Sequence, residues 1–272
     1  MIAKLHQPFY PLDQFIESFF YYTGFAPEHT VDRFLPDGNV QLIFDLTDKR
    51  QYIYDNETLR EIQTCRRVWF SGFRTEPITI PSGRESEMLI VNFRKGKAFP
   101  FLNEPLSAVT NHVVDAELVC SPGILNLRDA LQEAPSITQK FFLLESGLLS
   151  QYQSRLSGNP FVEFVITQIM TAPNRCSLRE IARKVGYSQK HLIKIFKDHV
   201  GVTPKEFLRV IRFQRAIEEI ERRQVTSWTA VAHDCGYYDQ SHFIADFKRF
   251  SGLTPTQYLD QKGQMLNYVF YV

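Results

Sequence analysis

Two stretches of the chain carry polar and aliphatic side chains at a spacing that would place them together on the outward face of a helix. The positions share a helical spacing and are Gln189, Lys190, Ile193 and Lys194 in the first stretch, and Gln240, Ser241 and Ile244 in the second. Lysine can donate to the O6 and N7 acceptors of guanine, glutamine can pair with adenine, and isoleucine can contact a thymine methyl group. The alternative for every one of these residues is an ordinary solvated helix face.

Both stretches belong to a duplicated segment of sequence. The first copy reads GYSQKHLIKIFKDHVGVTPKEFL from Gly186, and the second reads GYYDQSHFIADFKRFSGLTPTQYL from Gly236. Positions up to the glycine are offset by 50 residues, and later positions are offset by 51, which makes Tyr238 an insertion. A duplication with one inserted residue predicts two copies of the same structural unit.

Each copy has the pattern of two short helices joined by a glycine turn. Ser177 and Ser188 can cap the helices of the first copy, and Gly186 can adopt the left-handed conformation that a sharp turn needs. The inward face is apolar and consists of Leu178, Ile181, Ala182, Val185, Leu192, Ile195 and Phe196. Two helices in this arrangement form a helix-turn-helix. In the second copy Asp239 replaces Ser188 as the cap.

The segment between the copies, Thr203 to Arg223, predicts a single long helix with Thr203 as its cap and Pro204 in its first turn. Such a helix would hold the two units at a fixed separation. Two units on one spacer can enter successive major grooves, about 34 Å apart, on one face of DNA.

Positive charge is concentrated in the second half of the chain. Residues 1–160 carry 15 basic and 19 acidic side chains, whereas residues 161–262 carry 16 and 11. This asymmetry favours a nucleic-acid partner for the second half. Donors near a groove edge can contact phosphates, and the candidates are Ser177, Arg179, Lys197, Arg212, Lys248 and Arg249.

The duplication resembles the DNA-binding domain of the AraC/XylS family of bacterial transcription regulators. The resemblance covers residues 161–262 and is carried by Ala182, Gly186, HLIKIFK and GVTPKEFL with Arg212, and by Ala232, Gly236 and SHFIADFKRFSGLTPTQYL. It implies that both units bind double-stranded promoter DNA, with Lys190, Ile193 and Lys194 at base-reading positions. It also implies that Arg212 has an internal salt bridge as its alternative role.

The second unit departs from the family pattern at two positions. Ala245 stands where many members carry a long basic residue, and its neighbour Asp246 is acidic. An acid near the groove would repel phosphates, so we expect the second unit to discriminate bases less than the first.

Residues 1–156 predict a β-rich domain followed by helices, and the chain as a whole predicts an α+β fold of two domains. Runs such as VQLIFDL and MLIVNF, separated by turn residues about every ten positions, favour a sandwich or a barrel, and the resemblance to the family's sensing domains implies that a barrel would be cupin-like. RFLPDGNVQLIFDL and WFSGFRTEPITI resemble a domain of unknown function that is often fused to the DNA-binding module. Ser136 and Gln139 predict a capping box at the start of a helix. Its apolar stripe, Ile137 to Tyr152, can pack on its own domain or pair with a second copy in a homodimer.

A small-molecule effector of the first domain would need polar anchors and aromatic walls. The candidates are Arg33, Tyr52, Trp69 and Arg74, with core or surface salt-bridge roles as the alternative. His6, His29 and His112 are far apart in the sequence, so we expect neither a metal nor another cofactor.

Several classes of function lack their sequence signatures. The chain has no G-x-S-x-G elbow, P-loop or dinucleotide glycine fingerprint, and Cys235 of the HDC run falls at a core position of the repeat, so we expect no enzyme. Apolar runs are too short to span a bilayer, and four scattered cysteines predict reduced thiols in a cytoplasm.

The sequence therefore predicts a cytoplasmic transcription regulator whose first domain senses an effector or dimerises, and which contacts RNA polymerase if it is an activator. Two alternatives stay open. The first domain can be a purely structural dimerisation or docking scaffold, or it can be an enzyme or small-molecule binder with a vestigial DNA module.

Overall fold

The computed structural model describes residues 1–83, 85–171, 178–222, 227–262 and 267–271. In chain order the strands are β1 (Ile2–His6), β2 (Ile16–Thr23), β3 (Val31–Phe34), β4 (Gln41–Asp45), β5 (Gln51–Tyr54), β6 (Glu61–Cys65), β7 (Val68–Ser71), β8 (Ile78–Pro81), β9 (Glu87–Phe93), β10 (Val113–Asp115) and β11 (Tyr268–Tyr271). The helices are α1 (Ala116–Val119), α2 (Ile124–Glu133), α3 (Ile137–Tyr152), α4 (Pro160–Thr171), α5 (Leu178–Val185), α6 (Gln189–Val200), α7 (Pro204–Arg222), α8 (Trp228–Asp234), α9 (Gln240–Ser251) and α10 (Pro255–Gln261).

The strands form two antiparallel sheets that pack face to face as a sandwich. The larger sheet has the order β1-β2-β9-β4-β7-β10, and the smaller has the order β11-β3-β8-β5-β6. Apolar side chains of β5, β6 and β8 meet those of β7 and β10 between the sheets, for example Ile53, Cys65 and Val113 with Trp69. The predicted α+β fold is confirmed, and of the two predicted forms the structure has the sandwich.

The larger sheet is covered on both faces. In its central strand β4, the consecutive residues Leu42, Ile43 and Phe44 are all buried, which requires cover above and below the sheet. Helices α1 to α3 supply part of that cover. The Ser136 hydroxyl caps α3 by accepting from Gln139 N at 3.3 Å, as the sequence predicts.

The apolar stripe of α3 packs inside its own domain. Phe141, Leu144, Leu148 and Tyr152 are buried in the same core as the sandwich. The Phe141 ring lies 5.0 Å from the ring of His6, next to the edge of the larger sheet. Of the two uses predicted for this stripe, packing on its own domain is the one found.

The second half contains two helix-turn-helix units, α5 with α6 and α8 with α9, joined by α7. The turn residue Gly186 has a φ of +72° and Gly236 a φ of +82°, in the left-handed region predicted for Gly186. The predicted caps of α6, α7 and α9 are also confirmed, because the side chains of Ser188, Thr203 and Asp239 each accept a backbone hydrogen bond from the first turn.

The sandwich and the helical half share one continuous hydrophobic core. The Phe73 ring, which follows β7, lies 5.8 Å from the Phe207 ring of α7. An ion pair joins Lys97 to Glu163 of α4. Strand β11 forms a second link, because it pairs with β3 at the edge of the smaller sheet. The sequence does not predict this pairing, since two strands far apart in the chain leave no local pattern.

Candidate nucleic-acid interface

The first candidate surface is the outer face of α6. Leu192 and Phe196 anchor the inner face with exposures of 2% and 0%. Gln189, Lys190 and Lys194 are exposed on the opposite side, and Ile193 is half-buried between the two faces. The structure therefore brings the four predicted base readers of the first unit onto one surface.

Lys194 is held along the helix axis by a weak ion pair. Its Nζ lies 3.7 Å from Asp198 Oδ2, one turn later. An exposed pair at this spacing stabilises a helix by only a few tenths of a kcal/mol. The ammonium group can therefore leave Asp198 at little cost when a stronger acceptor approaches.

The second candidate surface is the outer face of α9, above the buried Phe243 and Phe247. Ser241 is exposed and Ile244 is half-buried, as on the first unit. The Gln240 carboxamide oxygen accepts a 2.7 Å hydrogen bond from the Thr229 hydroxyl of α8. This bond fixes the oxygen and leaves the amide NH₂ available to an acceptor. A shallow depression on this face is lined by Ser241, Ile244, Ala245, Lys248 and Arg249.

Asp246 does not face the surface, and the expectation that it would repel phosphates is wrong. Asp246 is 3% exposed. Its two oxygens accept hydrogen bonds from Arg209 of α7, at 3.2 Å from Nε and 2.5 Å from Nη2. Asp246 in turn raises the pKa of the Arg209 guanidinium. The negative charge of Asp246 is therefore balanced by Arg209 at the contact between α7 and α9. In the first unit the position aligned with Asp246 is occupied by Ile195.

The predicted phosphate contacts fall into three groups. Arg179, Lys197 and Lys248 are exposed on the helical half. Arg249 is engaged within the protein, because its Nη2 lies 2.6 Å from Glu206 Oε1 and its guanidinium is 5.4 Å from the centre of the Phe250 ring. Arg212 is half-buried on α7. Burial raises the pKa of the nearby Tyr237 hydroxyl, and the positive charge of Arg212 offsets part of that rise.

Ser177, the sixth predicted phosphate contact, lies outside the described residues. So do the side chains of Leu178 and Val185, two members of the predicted inward face. The remaining inward residues of α5, Ile181 and Ala182, are buried as predicted.

Both recognition helices meet the sandwich at their C-terminal ends. At the end of α6, the Gly201 carbonyl accepts a 2.7 Å hydrogen bond from the Thr110 hydroxyl, and the His199 ring lies 4.3 Å from the Phe99 ring. At the end of α9, the Arg33 guanidinium of β3 lies against Gly252. The N-terminal ends, which carry Gln189 and Gln240, are therefore the ends remote from these contacts. In helix-turn-helix proteins those ends contact the bases.

The four predicted effector residues lie in separate parts of the sandwich and do not form one site. Arg33 is 3% exposed, with its Nε donating to Thr79 Oγ1 at 3.1 Å and a terminal nitrogen donating to the Asn56 carbonyl. Trp69 packs against the small cluster of Ile53, Cys65 and Val113 between the sheets. Tyr52 is half-buried on β5. Arg74 donates to the Glu76 carbonyl at 3.4 Å, and burial lowers its pKa.

A separate cleft of about 590 Å³ opens at the side of the sandwich. Its lining mixes both charges and consists of Asp48, Lys49, Arg50, Thr64, Arg66, Arg67, Val68, Asp115, Glu117 and Leu125. None of the four predicted effector residues lines it.

Residues considered for other kinds of site were located in the described part of the chain. Cys235 is buried in the core as predicted, whereas the His233 side chain is 90% exposed. Within the described ranges, no group of three or more His, Cys, Asp or Glu side chains could hold a metal ion. No helix among the residues that the structure describes is long and apolar enough to cross a bilayer.

Known protein families match both halves of the chain. Residues 181–261 match the family described as a helix-turn-helix domain, and residues 4–115 match a domain of unknown function. The second half of the chain is therefore similar to AraC-type helix-turn-helix domains. The curated relatives that it matches are described as HTH-type transcriptional regulators.

Three proteins illustrate how the AraC-type likeness is distributed. An uncharacterized HTH-type transcriptional regulator of Haemophilus influenzae is 30% identical over 151 residues, covering 56% of this chain and 46% of the relative. The HTH-type transcriptional activator RhaS of Escherichia fergusonii is 32% identical over 81 residues, covering 30% of this chain and 29% of RhaS. The crystal structure of an apo ToxT variant from Vibrio cholerae has a TM-score of 0.46 and 14% identity, covering 89% of this chain and 97% of ToxT. The chain thus matches less than half the length of these two curated relatives.

One structural pair in the helical half was not predicted from the sequence. Arg209 and Asp246 lie 37 positions apart on different helices, so no periodic pattern connects them. A signal did exist, since the one-copy offset of 51 places Asp246 opposite Ile195 in the alignment of the two units. An acid at a core position predicts a buried partner.

Proposed function

We propose that this chain is a cytoplasmic, DNA-binding transcription regulator that reads double-stranded promoter DNA with α6 and α9 together. The observation that carries the proposal is the matched construction of the two helices. Each has a side-chain N-cap, two buried aromatic or aliphatic anchors and an outward face of polar and small apolar residues. The 19-residue helix α7 joins them as a single spacer.

Base contacts are assigned to the outward faces near the helix N-termini. They comprise Gln189, Lys190, Ile193 and Lys194 on α6, and Gln240, Ser241 and Ile244 on α9. The first set suits guanine acceptors and thymine methyl groups, and the second suits adenine through the Gln240 amide. Phosphate contacts are assigned to Ser177, Arg179, Lys197, Arg212, Lys248 and Arg249, of which Arg249 would have to exchange Glu206 for a phosphate.

We assign residues 1–156 to a regulatory domain and residues 161–262 to the DNA reader. The regulatory domain would sense an effector, with Arg33, Tyr52, Trp69 and Arg74 as candidate contacts, or would dimerise the protein. A scaffold role is favoured by one observation, namely that Arg33 is committed to Thr79, Asn56 and the end of α9. If the regulator is an activator, RNA polymerase is a further partner.

The test is capture of sheared genomic DNA by the purified full-length chain at near-physiological salt, followed by sequencing of the bound fragments. The salt matters because phosphate contacts alone weaken steeply as salt rises. We expect enrichment of a few promoters that contain two half-sites one helical turn apart. The matched variants are Lys194→Ala and Lys4→Ala, which remove a lysine from α6 and from β1 at the far edge of the sandwich.

Lys194→Ala should reduce the enrichment, and Lys4→Ala should leave it unchanged. Fragments recovered without any common sequence, with equal loss in both variants, would contradict sequence-specific reading. Recovery of no fragments by the full chain would favour the alternative in which the DNA module is vestigial.

A further inference from the structure

The end of the chain is part of the sandwich. Strand β11 pairs antiparallel with β3, with Val269 opposite Arg33 and Tyr268 opposite Phe34. The Leu35 amide extends the ladder by donating to the Asn267 carbonyl at 3.0 Å. Val269 is fully buried. Without β11, strand β3 would be an open edge of the smaller sheet, and its backbone groups would lose these partners.

A buried glutamine ties this strand to the spacer helix. The Gln214 amide nitrogen on α7 donates to the Pro36 carbonyl at 2.5 Å and to Asn267 Oδ1 at 2.9 Å. One side chain thus joins the middle of α7, the loop after β3 and the start of the terminal strand. Gln214 is itself buried, so removing its partners would leave a buried polar group unsatisfied.

The other end of the terminal segment is fixed to the second helix-turn-helix unit. Lys262, just after α10, pairs with Val269 in an isolated β-bridge. Its Nζ lies 2.7 Å from Glu221 Oε2 near the end of α7, and the Tyr258 hydroxyl of α10 donates to Glu221 Oε1 at 3.1 Å. These contacts link α7, α10 and β11 at the far end of the spacer.

The two units are therefore attached to the sandwich in different ways. The first unit packs directly, through Gly201 and His199 of α6 against Thr110 and Phe99. The second unit reaches the sandwich through Gly252 against Arg33 and through the connections of β11. Neither attachment covers the N-terminal ends of the recognition helices, where the candidate base readers lie.

We propose that β11 is a positioning element that sets the separation and orientation of the second reading unit relative to the first, with Asn267 and Gln214 as its positioning residues. The inference rests on the proposed function. A strand that clamps the far end of α7 without covering the readers fixes the geometry in which both helices can engage one face of DNA. The benefit of such a clamp is entropic, because the second unit is already in place when the first has bound.

The experiment compares the full chain with a variant that lacks residues 267–272. The probe is a promoter fragment recovered by the full chain, used unaltered and with five base pairs inserted between its half-sites. Five base pairs are half a helical turn and rotate the second half-site to the opposite face. We expect the full chain to lose at least about tenfold in affinity on the altered fragment.

The shortened variant should bind the unaltered fragment about as weakly as the altered one, because its second unit no longer has a fixed place. Its binding to the first half-site alone should be unchanged. The readout is the ratio of the affinity for the unaltered fragment to the affinity for the altered fragment. A general loss of stability would weaken binding to both fragments and leave this ratio unchanged.

A second variant, Gln214→Leu, keeps the full chain and the buried volume but removes both hydrogen bonds to the loop and to Asn267. It should lower the ratio in the same direction as the truncation, and it decides the matter if the truncated chain does not fold. Leu144→Ala is the matched control, because it removes buried volume under α3 in the sandwich half, away from β11 and from both helix-turn-helix units. It should leave the ratio near that of the full chain.

An unchanged ratio in folded Gln214→Leu and in the truncated chain would overturn the inference while leaving the proposed function intact. Tighter binding of both fragments by the truncated chain would also overturn it, since β11 would then restrain the reader. Failure of the full chain to recover any DNA would instead remove the proposed function, and the inference with it.

Discussion

The two helix-turn-helix units share one design but differ in where they place charge. On the first unit Lys190 and Lys194 are exposed on the reading face, and a core position is filled by Ile195. On the second unit the aligned surface residues are Ser241 and Ala245, and the only acid of the helix, Asp246, lies in the core position beside Arg209. The first unit therefore carries lysines at positions where the second presents hydrogen-bonding and apolar groups, and the exposed charge of α9 lies one turn later, at Lys248 and Arg249.

The difference suggests a division of labour. Lysines provide affinity that depends on salt, together with preference for guanine. Under the proposed function, Gln240, held by Thr229, would add base discrimination with little electrostatic affinity. Binding would then be directional, because the two half-sites of an operator would need different bases.

The largest expected effect comes from breaking the internal ion pair of the second unit. Asp246→Ala removes the buried carboxylate that accepts two hydrogen bonds from the half-buried Arg209 guanidinium, which keeps Glu206 as an ion-pair partner. We expect a loss of about 3 kcal/mol in the free energy of unfolding, measured by denaturant titration. Replacing both partners, Arg209→Met with Asp246→Ile, copies the apolar arrangement of the first unit and should recover most of that loss. Equal stability of Asp246→Ala and the unaltered chain would mean that the pair does not hold α9.

A smaller effect is expected at the turn of the first unit. Gly186 has a φ of +72° and open space where a side chain would begin, so a substitution there meets backbone strain alone. Gly186→Val should cost about 2 kcal/mol and lower the melting temperature of the chain. Gly186→Asn is the control, since asparagine tolerates this conformation better. A valine variant that melts with the unaltered chain would show that the turn relaxes to another conformation.

Exchange of the aligned residues Lys194 and Ala245 tests the charge comparison directly. Lys194→Ala should weaken specific binding by about 1–3 kcal/mol, with a smaller loss on non-specific DNA. Ala245→Lys should strengthen binding to both DNAs and steepen the salt dependence by about one ion. Affinities measured over a series of salt concentrations give both quantities. Equal losses on both DNAs in Lys194→Ala would reassign Lys194 to a phosphate.

The smallest effect is expected at Gln240. Gln240→Ala should cost about 1 kcal/mol on the recovered promoter and nothing on DNA whose second half-site has been scrambled. Thr229→Val is the companion variant, because it frees the carboxamide without removing it and should have a weaker effect of the same sign. Loss of affinity on the scrambled fragment as well would assign Gln240 to packing against α8.

Local features of this fold were predictable from its sequence. Caps such as Ser188 and Asp239, the turn at Gly186 and the buried anchors Leu192 and Phe196 depend on neighbours a few positions away, and they were found as predicted. The α3 stripe was recognised as apolar, but its partner was not, because periodicity identifies a buried face without saying what covers it.

Features that depend on residues distant in sequence were not predictable. The burial of Asp246 needs Arg209 from another helix, and β11 needs the edge of β3 from the opposite end of the chain. From the sequence alone, the charge of Arg33 makes it a candidate anchor for a polar effector, with a turn or salt-bridge role as the alternative. The structure puts it between Thr79, Asn56 and the end of α9, a position that only the three-dimensional arrangement of sandwich and reader defines.

The hydrophobic core that runs without interruption from the sandwich into the reading half has a consequence for how such chains diversify. Phe73 meets Phe207, and the loop at Gly96 approaches α4 so closely that the Ile166 side chain would have to move to admit a side chain at Gly96. A helical half that is fused to a different sandwich would present a packing surface for which the new sandwich has no complementary side chains. The two halves should therefore change together during evolution, and chimeric regulators of this kind should need the junction residues to be exchanged as a set.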